Sequence, residues 1–153
     1  MSGSAGWQLQ RAVHAALTAD TALSSLLAGA GIYDDVPHAA AYPYLTMGQT
    51  SSSDWGTGTE DGEEHIMTLH VWSSYSGRSE TQIIMGAVRD VLHTARLTLS
   101  GHSLINLRQQ FSDIRREADG ITIHGLLRYR ATTQPIIPAV SAPSPALAAA
   151  PGA

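Results

Sequence analysis

The chain contains no cysteine and no lysine, so all nine of its cations are arginines. Without thiols there is no disulfide framework, no cysteine metal site and no thiolate chemistry. Charged residues make up only 14% of the 153 positions and the net charge is −4. That balance argues against a general nucleic-acid binder, which is usually basic overall. No run approaches the roughly 20 apolar residues needed to span a bilayer, so no membrane contact is expected. Met1-Ser-Gly-Ser-Ala-Gly6 has no charged start and no long apolar core, so no signal peptide is expected and the chain reads as soluble. Catalytic signatures are equally scarce. The seven histidines give no His-Glu-x-x-His spacing, and no EF-hand loop, phosphate-binding glycine loop or Gly-x-Ser-x-Gly elbow occurs. His65 and His70 stand five apart, which on a strand sends them to opposite faces. The expectation is a non-enzyme with no metal and no cofactor.

The clearest pattern runs from residue 64 to residue 93. Met67, Leu69 and Val71 alternate along one strand face, while Ile66, Thr68, His70 and Trp72 occupy the other. That second face is too apolar to be meant for water alone. A turn at Ser76-Gly77 leads into a helix whose apolar stripe reads Ile83, Ile84, Ala87, Val88, Val91 and Leu92. Ser79 followed by Gln82 looks like a capping-box start. Upstream, the spacing predicts a helix over 7–19 carrying Leu9, Val13, Ala16 and Leu17 on one face, with His14 at its edge. A short helix over 21–27 capped by Asp20 follows, then strands over 32–36 and 42–48.

Residues 49–62 read as a long polar loop. Loops beyond about 12–15 residues in a compact domain are usually functional or disordered. With the two residues that follow, the segment collects Asp54, Glu60, Asp61, Glu63 and Glu64, and Trp55 is its one aromatic. Two readings stay open: a solvated acidic loop, or a segment that orders on a basic partner surface with Trp55 as anchor.

Strands over 103–117 and 121–134 close the domain. A three-residue turn over 118–120, with Gly120 left-handed, aligns Phe111 with Leu127, Leu107 with Ala131 and Arg115 with Ile123. On the opposite face Arg108 then meets Arg130, and Gln110 meets Arg128. Like charges across a ladder repel, so a counter-charge is expected unless the guanidinium groups splay into water. An acidic segment of a neighbouring subunit or a phosphate backbone would supply it. Residues 135–153 hold five prolines and no charge, and read as an extended or disordered tail outside a single domain over 1–134.

The order of these features resembles a known family. Gly31-Ile-Tyr-Asp-Asp-Val-Pro37, Tyr42-Pro-Tyr-Leu-Thr-Met-Gly48, Leu69-His-Val-Trp-Ser73 with Gly77, Val88-Arg-Asp-Val-Leu-His93 and the closing run from Asp119 to Arg130 carry it. Together they are similar to the tail-completion (tail-terminator, head-to-tail joining) proteins of long-tailed phages and phage-like gene transfer agents. The resemblance implies an α/β (α+β) subunit with an antiparallel-rich sheet of four to five strands and helices on one face. It further implies a homo-oligomeric ring, a hexamer, at the head-tail junction of a particle. That ring would cap the tail tube, meet the head connector or stopper protein and pass double-stranded DNA through its lumen. The family offers no catalytic residues. Arg108, Arg128 and Arg130, together with Asp54, Trp55, Glu60, Asp61, Glu63 and Glu64, are the candidates for a subunit interface or a lumen. A non-enzymatic adaptor that binds its partner through residues 49–64 is the alternative.

Overall fold

Alternating side chains along the strands build one sheet with a covered face and an open face. The computed structural model describes residues 4–29 and 31–136. Its helices are α1 (Ala5–Ala19), α2 (Thr21–Ser24) and α3 (Ser79–Thr94). The strands are β1 (Ile32–Tyr33), β2 (Tyr44–Asp54), β3 (Glu63–Ser73), β4 (His102–Arg116) and β5 (Ile123–Pro135). They are ordered β1-β2-β3-β5-β4, and every neighbouring pair except β1–β2 is antiparallel. This is the α+β architecture expected from the sequence.

The covered face is where the apolar alternation points. Met67, Leu69 and Val71 of β3 and Leu127, Tyr129 and Ala131 of β5 pack under Leu9, Val13 and Leu17 of α1. From α3, Ile84, Met85, Val88 and Leu92 join the same cluster. Ser4 caps α1 by accepting the Trp7 N–H, and the Asp20 carboxylate accepts the Leu23 N–H to start α2. The α3 stripe is narrower than predicted: Ile83 is 58% exposed, and Thr81 and Met85 join Ile84, Val88 and Leu92 in the buried row. No capping box forms either. Arg78 is the N-cap without a side-chain bond, Ser79 already lies inside the helix, and Glu80 instead accepts from the Ser73 hydroxyl.

Two expectations about the strands need correction. The long loop over 49–62 is strand in its first part: β2 runs on to Asp54, which pairs with Glu63, leaving 55–62 as the connection. Ser51, Ser52 and Ser53 are exposed, so backbone pairing to β3, not burial, holds this half of β2. A bulge between Met47 and Thr50 puts both on the side of Leu69 and Met67 despite their odd spacing.

The predicted β4–β5 register holds only around Leu107↔Ala131 and Arg108↔Arg130. Shifts between Leu104 and Asn106 and between Gln109 and Phe111 move Phe111 opposite Arg128, Arg115 opposite His124 and Arg116 opposite Ile123. The cause is packing. Leu104, Leu107 and Ile114 all pack against the core, yet successive members of that trio are an odd number of residues apart. A strict period of two would turn one of each pair away, and each bulge restores it. The turn consequently spans 118–121, not 118–120, closed by the Glu117 N–H to the Thr122 carbonyl, with Gly120 at φ 75 as expected. At the other end β5 reaches Pro135 and the Ile136 N–H bonds the Gly101 carbonyl. Attached backbone therefore passes the expected boundary at 134; the tail from 137 onward lies outside the described residues.

Candidate interaction surface

The face of the sheet away from the helices carries rows of side chains fixed by the strand register. At one end Tyr44, Trp72, His124 and Arg115 stand side by side across β2, β3, β5 and β4. Thr46, His70, Leu126 and Asp113 form the next row, then Thr68, Arg128 and Phe111, and then Ser51, Ile66, Arg130 and Arg108. Ile66, Trp72 and Leu126, the residues that make this face semi-apolar, are all partly exposed.

The arginines on this face find different partners. Arg130 donates from Nε to a Glu64 carboxylate oxygen, so its counter-charge comes from the same chain. Arg128 lies over the Phe111 ring at 5.2 Å, a cation–π contact created by the bulge at Gln110. Arg108 has no ion pair among the described residues and sits on the edge strand. It borders a groove of about 250 Å³ together with Arg89, Asp90 and Tyr129. The Tyr129 hydroxyl is buried with no hydrogen-bond partner among the described residues, and burial pushes its pKa up to about 12, with Arg89 pulling the other way.

The acidic segment is an ordered hairpin tip. Asp54 accepts the Gly56 N–H, and the Thr57 N–H bonds the Glu60 carbonyl. The Thr57 hydroxyl accepts from the Glu60 N–H. The Trp55 ring packs where a Gly62 side chain would stand, and the Trp55 N–H bonds the Gly62 carbonyl. Asp61 is exposed at the tip, and Glu63 pairs with Asp54 and Thr133 at the mouth of the hairpin. The tip is thus held by its own bonds without a partner surface. Among the described residues, Glu64 and Arg130 are the two of the nine candidates that form an ion pair, while Asp54 lies opposite Glu63 and Arg108 opposite Arg130 in the ladders.

A second cluster escaped the sequence reading. Trp72 stacks flat on His124, with centroids 4.0 Å apart, and donates its indole N–H to Thr46. His124 Nδ1 is 2.7 Å from Glu117 Oε1, and His124 Nε2 is 2.7 Å from His70 Nδ1. A proton on His124 Nδ1 lets it donate to the Glu117 carboxylate and accept from His70 at Nε2. Burial lowers the His70 pKa, and His124 and Arg115 lower it further. Beside this cluster opens a groove of about 590 Å³, walled by Tyr42, Tyr44 and Trp72 and edged by Asp34, Asp35, Glu117 and Asp119. The Asp119 pKa is lowered by hydrogen bonds from the Thr122 hydroxyl and the Thr122 and Ile121 N–H groups. The signal for the cluster was the outward set His70, Trp72 and His124, but the groove needs residues far apart in sequence.

Among the described residues no group of three or more histidine, aspartate or glutamate side chains is placed to hold a metal ion, and no helix is long and apolar enough to cross a membrane. What this surface offers is contact area of mixed charge. Known proteins share this fold. A solved chain described as "Virion of native gene transfer agent (GTA) particle" is 28% identical and superposes with a TM-score of 0.78, over 86% of this chain and 99% of its own. The solved structure of bacteriophage SPP1 gp17 is 26% identical with a TM-score of 0.59, over 84% of this chain and 90% of its own. In sequence, the tail completion protein gp17 of Bacillus phage SPP1 is 31% identical over 91 residues, 60% of this chain and 67% of that protein. The family profile described as tail completion protein gp17 matches residues 11–134, the span holding every strand except the last residue of β5. With a family match over most of its length and a shared fold, this chain belongs to the tail completion protein gp17 family.

Proposed function

We propose that this tail completion protein, a structural component of a phage or gene transfer agent tail, acts as a closed ring of six copies. The ring caps the tail tube, meets the head connector and lets double-stranded DNA pass through its lumen; the domain over 1–134 is the ring subunit. The observation that carries the ring is the sheet. Among the described residues β4 leaves one edge unpaired beyond the Leu99 bridge at His102, and β1 covers only Leu45 and Thr46 of β2 at the other. Unequal edges of this kind suit a head-to-tail contact, which closes into a ring when its rotation divides a full turn. The open face then looks inward. Its strand rows hold Arg108, Arg115, Arg128 and Arg130 beside Glu64 and Asp113, while Asp34, Asp35, Glu117 and Asp119 gather at the groove end, and arginines facing phosphate offset the repulsion between those carboxylates and a polyanion.

Mass in solution, with negative-stain imaging of the protein added to tail tubes, tests this directly. A ring mass and capped tube ends are expected; a monomer that never associates with tubes at any concentration sinks the proposal. Replacing both Arg108 and Arg128 by alanine is expected to leave the ring mass unchanged and to slow DNA release from particles. Loss of the ring in that double variant would place these arginines between subunits instead.

A further inference from the structure

The row at the end of the open face reads Tyr44, Trp72, His124, Arg115 from one side of the sheet to the other. Its first member walls the groove edged by Asp34 and Asp35. Its last is an exposed guanidinium on the unpaired edge of β4, without an ion pair among the described residues. The groove therefore lacks a cation, and the far end of the same row carries one. Three strand spacings separate Tyr44 on β2 from Arg115 on β4, about 14 Å across the sheet, so Arg115 stands by the Glu117 and Asp119 rim of its own groove and away from the Asp35–Tyr42–Tyr44 wall.

We infer that Arg115 of one copy seats in the Asp35–Tyr42–Tyr44 groove of the next copy, and that this contact sets the order of subunits in the ring. The inference rests on the ring reading and names the surfaces that reading leaves open. Charge is the first argument: the chain has nine arginines and no lysine, and a planar guanidinium suits a site with carboxylates at its rim and aromatic faces in its wall. Tyr42 stacks on Tyr44 at 5.3 Å and Tyr33 packs edge-on against Tyr44 at 5.7 Å, so the wall is preformed. Asp34 already accepts from the Gln10 side chain, whereas Asp35 is exposed with no bonded partner among the described residues.

Direction is the second argument. β2 and β4 run antiparallel to each other, because each step from β2 through β3 and β5 to β4 reverses the chain. A copy rotated about an axis along the strands brings its β4 beside the β1–β2 edge of its neighbour with Arg115 and Tyr44 at the same level. The contact joins two different surfaces, so it propagates, and closes, without a twofold partner. β4 is long for an edge, and Ile105 and Phe111 on it are about half exposed, at 51% and 47%; burial of such an edge removes an aggregation hazard.

Charge reversal tests the pairing. Arg115→Glu and Asp35→Arg each change an exposed residue, so each variant should keep the wild-type melting temperature. Each alone is expected to raise the concentration needed for half-assembly by at least about tenfold, since like charges placed together at an interface are strongly disfavoured. An equimolar mixture of the two should assemble again: Arg115 of one variant meets the intact groove of the other, and the remaining contact sets Glu at 115 against Arg at 35. Sedimentation or light scattering reads all four samples. If either single variant assembles like wild type, or if the mixture stays monomeric while wild type forms rings, the contact is wrong and the ring stands. The first of these is also the result expected if the groove holds an arginine of some other protein. If wild type is monomeric throughout, the ring reading itself falls, and this inference with it. The neutral pair Arg115→Gln and Asp35→Asn should show the single-variant losses at smaller size and only partial recovery on mixing, because one contact in two is native and the other is uncharged, which separates a specific pair from a general effect of net charge.

Discussion

Gly125→Val is expected to lower the unfolding free energy by about 3 kcal/mol, the upper part of the usual range for adding methyl groups to a packed core. Gly125 lies on the covered side of β5 between Val71 and Ile114. A Cβ built there would stand 2.7 Å from Met85 Sδ and 2.7 Å from Thr81 Cγ2, well inside contact distance. Met85 is flexible and can swing away in part, but Thr81 is short and β-branched and can yield only if α3 moves. Glycine here is a matter of space: α3 rests directly on the strand backbone. Urea unfolding should show an earlier midpoint with an unchanged slope. An unchanged midpoint would mean that α3 does not pack on Gly125.

How much of this was legible beforehand depends on whether apolar residues alone set the pattern. β3 was readable because Met67, Leu69 and Val71 alternate without interruption. The outer half of β2 was not. Serines and a threonine over 50–53 carry no hydrophobic period, and the pairing that orders them comes from β3 through backbone bonds. Bulges were the second blind spot. The odd spacing among Leu104, Leu107 and Ile114 holds the information, but it reads as a broken strand until all three are known to face the core. The error over Phe111 followed, and with it the missed contact with Arg128.

The site shows the same division. Arg108 and Arg130 do lie opposite each other, but a turn one residue longer than expected and the bulge at Gln110 together produce that register. That Glu64 would neutralise Arg130 required knowing that β3 lies beside β5, a pairing no local pattern announces. The groove was further out of reach. Its aspartates follow β1, its tyrosines precede and open β2, and its far rim is the β4–β5 turn, so only the assembled sheet brings them together.

His65→Leu is expected to cost about 2–3 kcal/mol at pH 7, and to flatten the dependence of stability on pH. His65 is fully buried on the covered face of β3. Its Nδ1 lies 2.7 Å from the Ser52 hydroxyl and its Nε2 2.9 Å from the Thr133 hydroxyl. Leucine would fill much of the volume but leave Ser52 and Thr133 without this partner, and each buried polar group so stranded costs about 1–3 kcal/mol. Ser52 is the cheaper of the two, because it is exposed enough to turn to water. The pH effect follows from the same burial. Desolvation lowers the folded-state pKa of His65 below the ordinary 6.5, against a smaller pull from Glu63 in the other direction. As pH falls through about 6.5 the unfolded chain takes up a proton that the folded chain still refuses, so folding stability drops from that point downward. Above it, both states are neutral and the contribution is constant. His70, lowered for the same reason, adds to the slope and remains in the variant. Melting temperatures between pH 7.5 and 5 should therefore fall for both proteins, and less steeply for His65→Leu. Parallel curves would show that His65 takes up its proton as readily in the folded chain as in the unfolded one, which a ring held between Ser52 and Thr133 beneath α1 should not do.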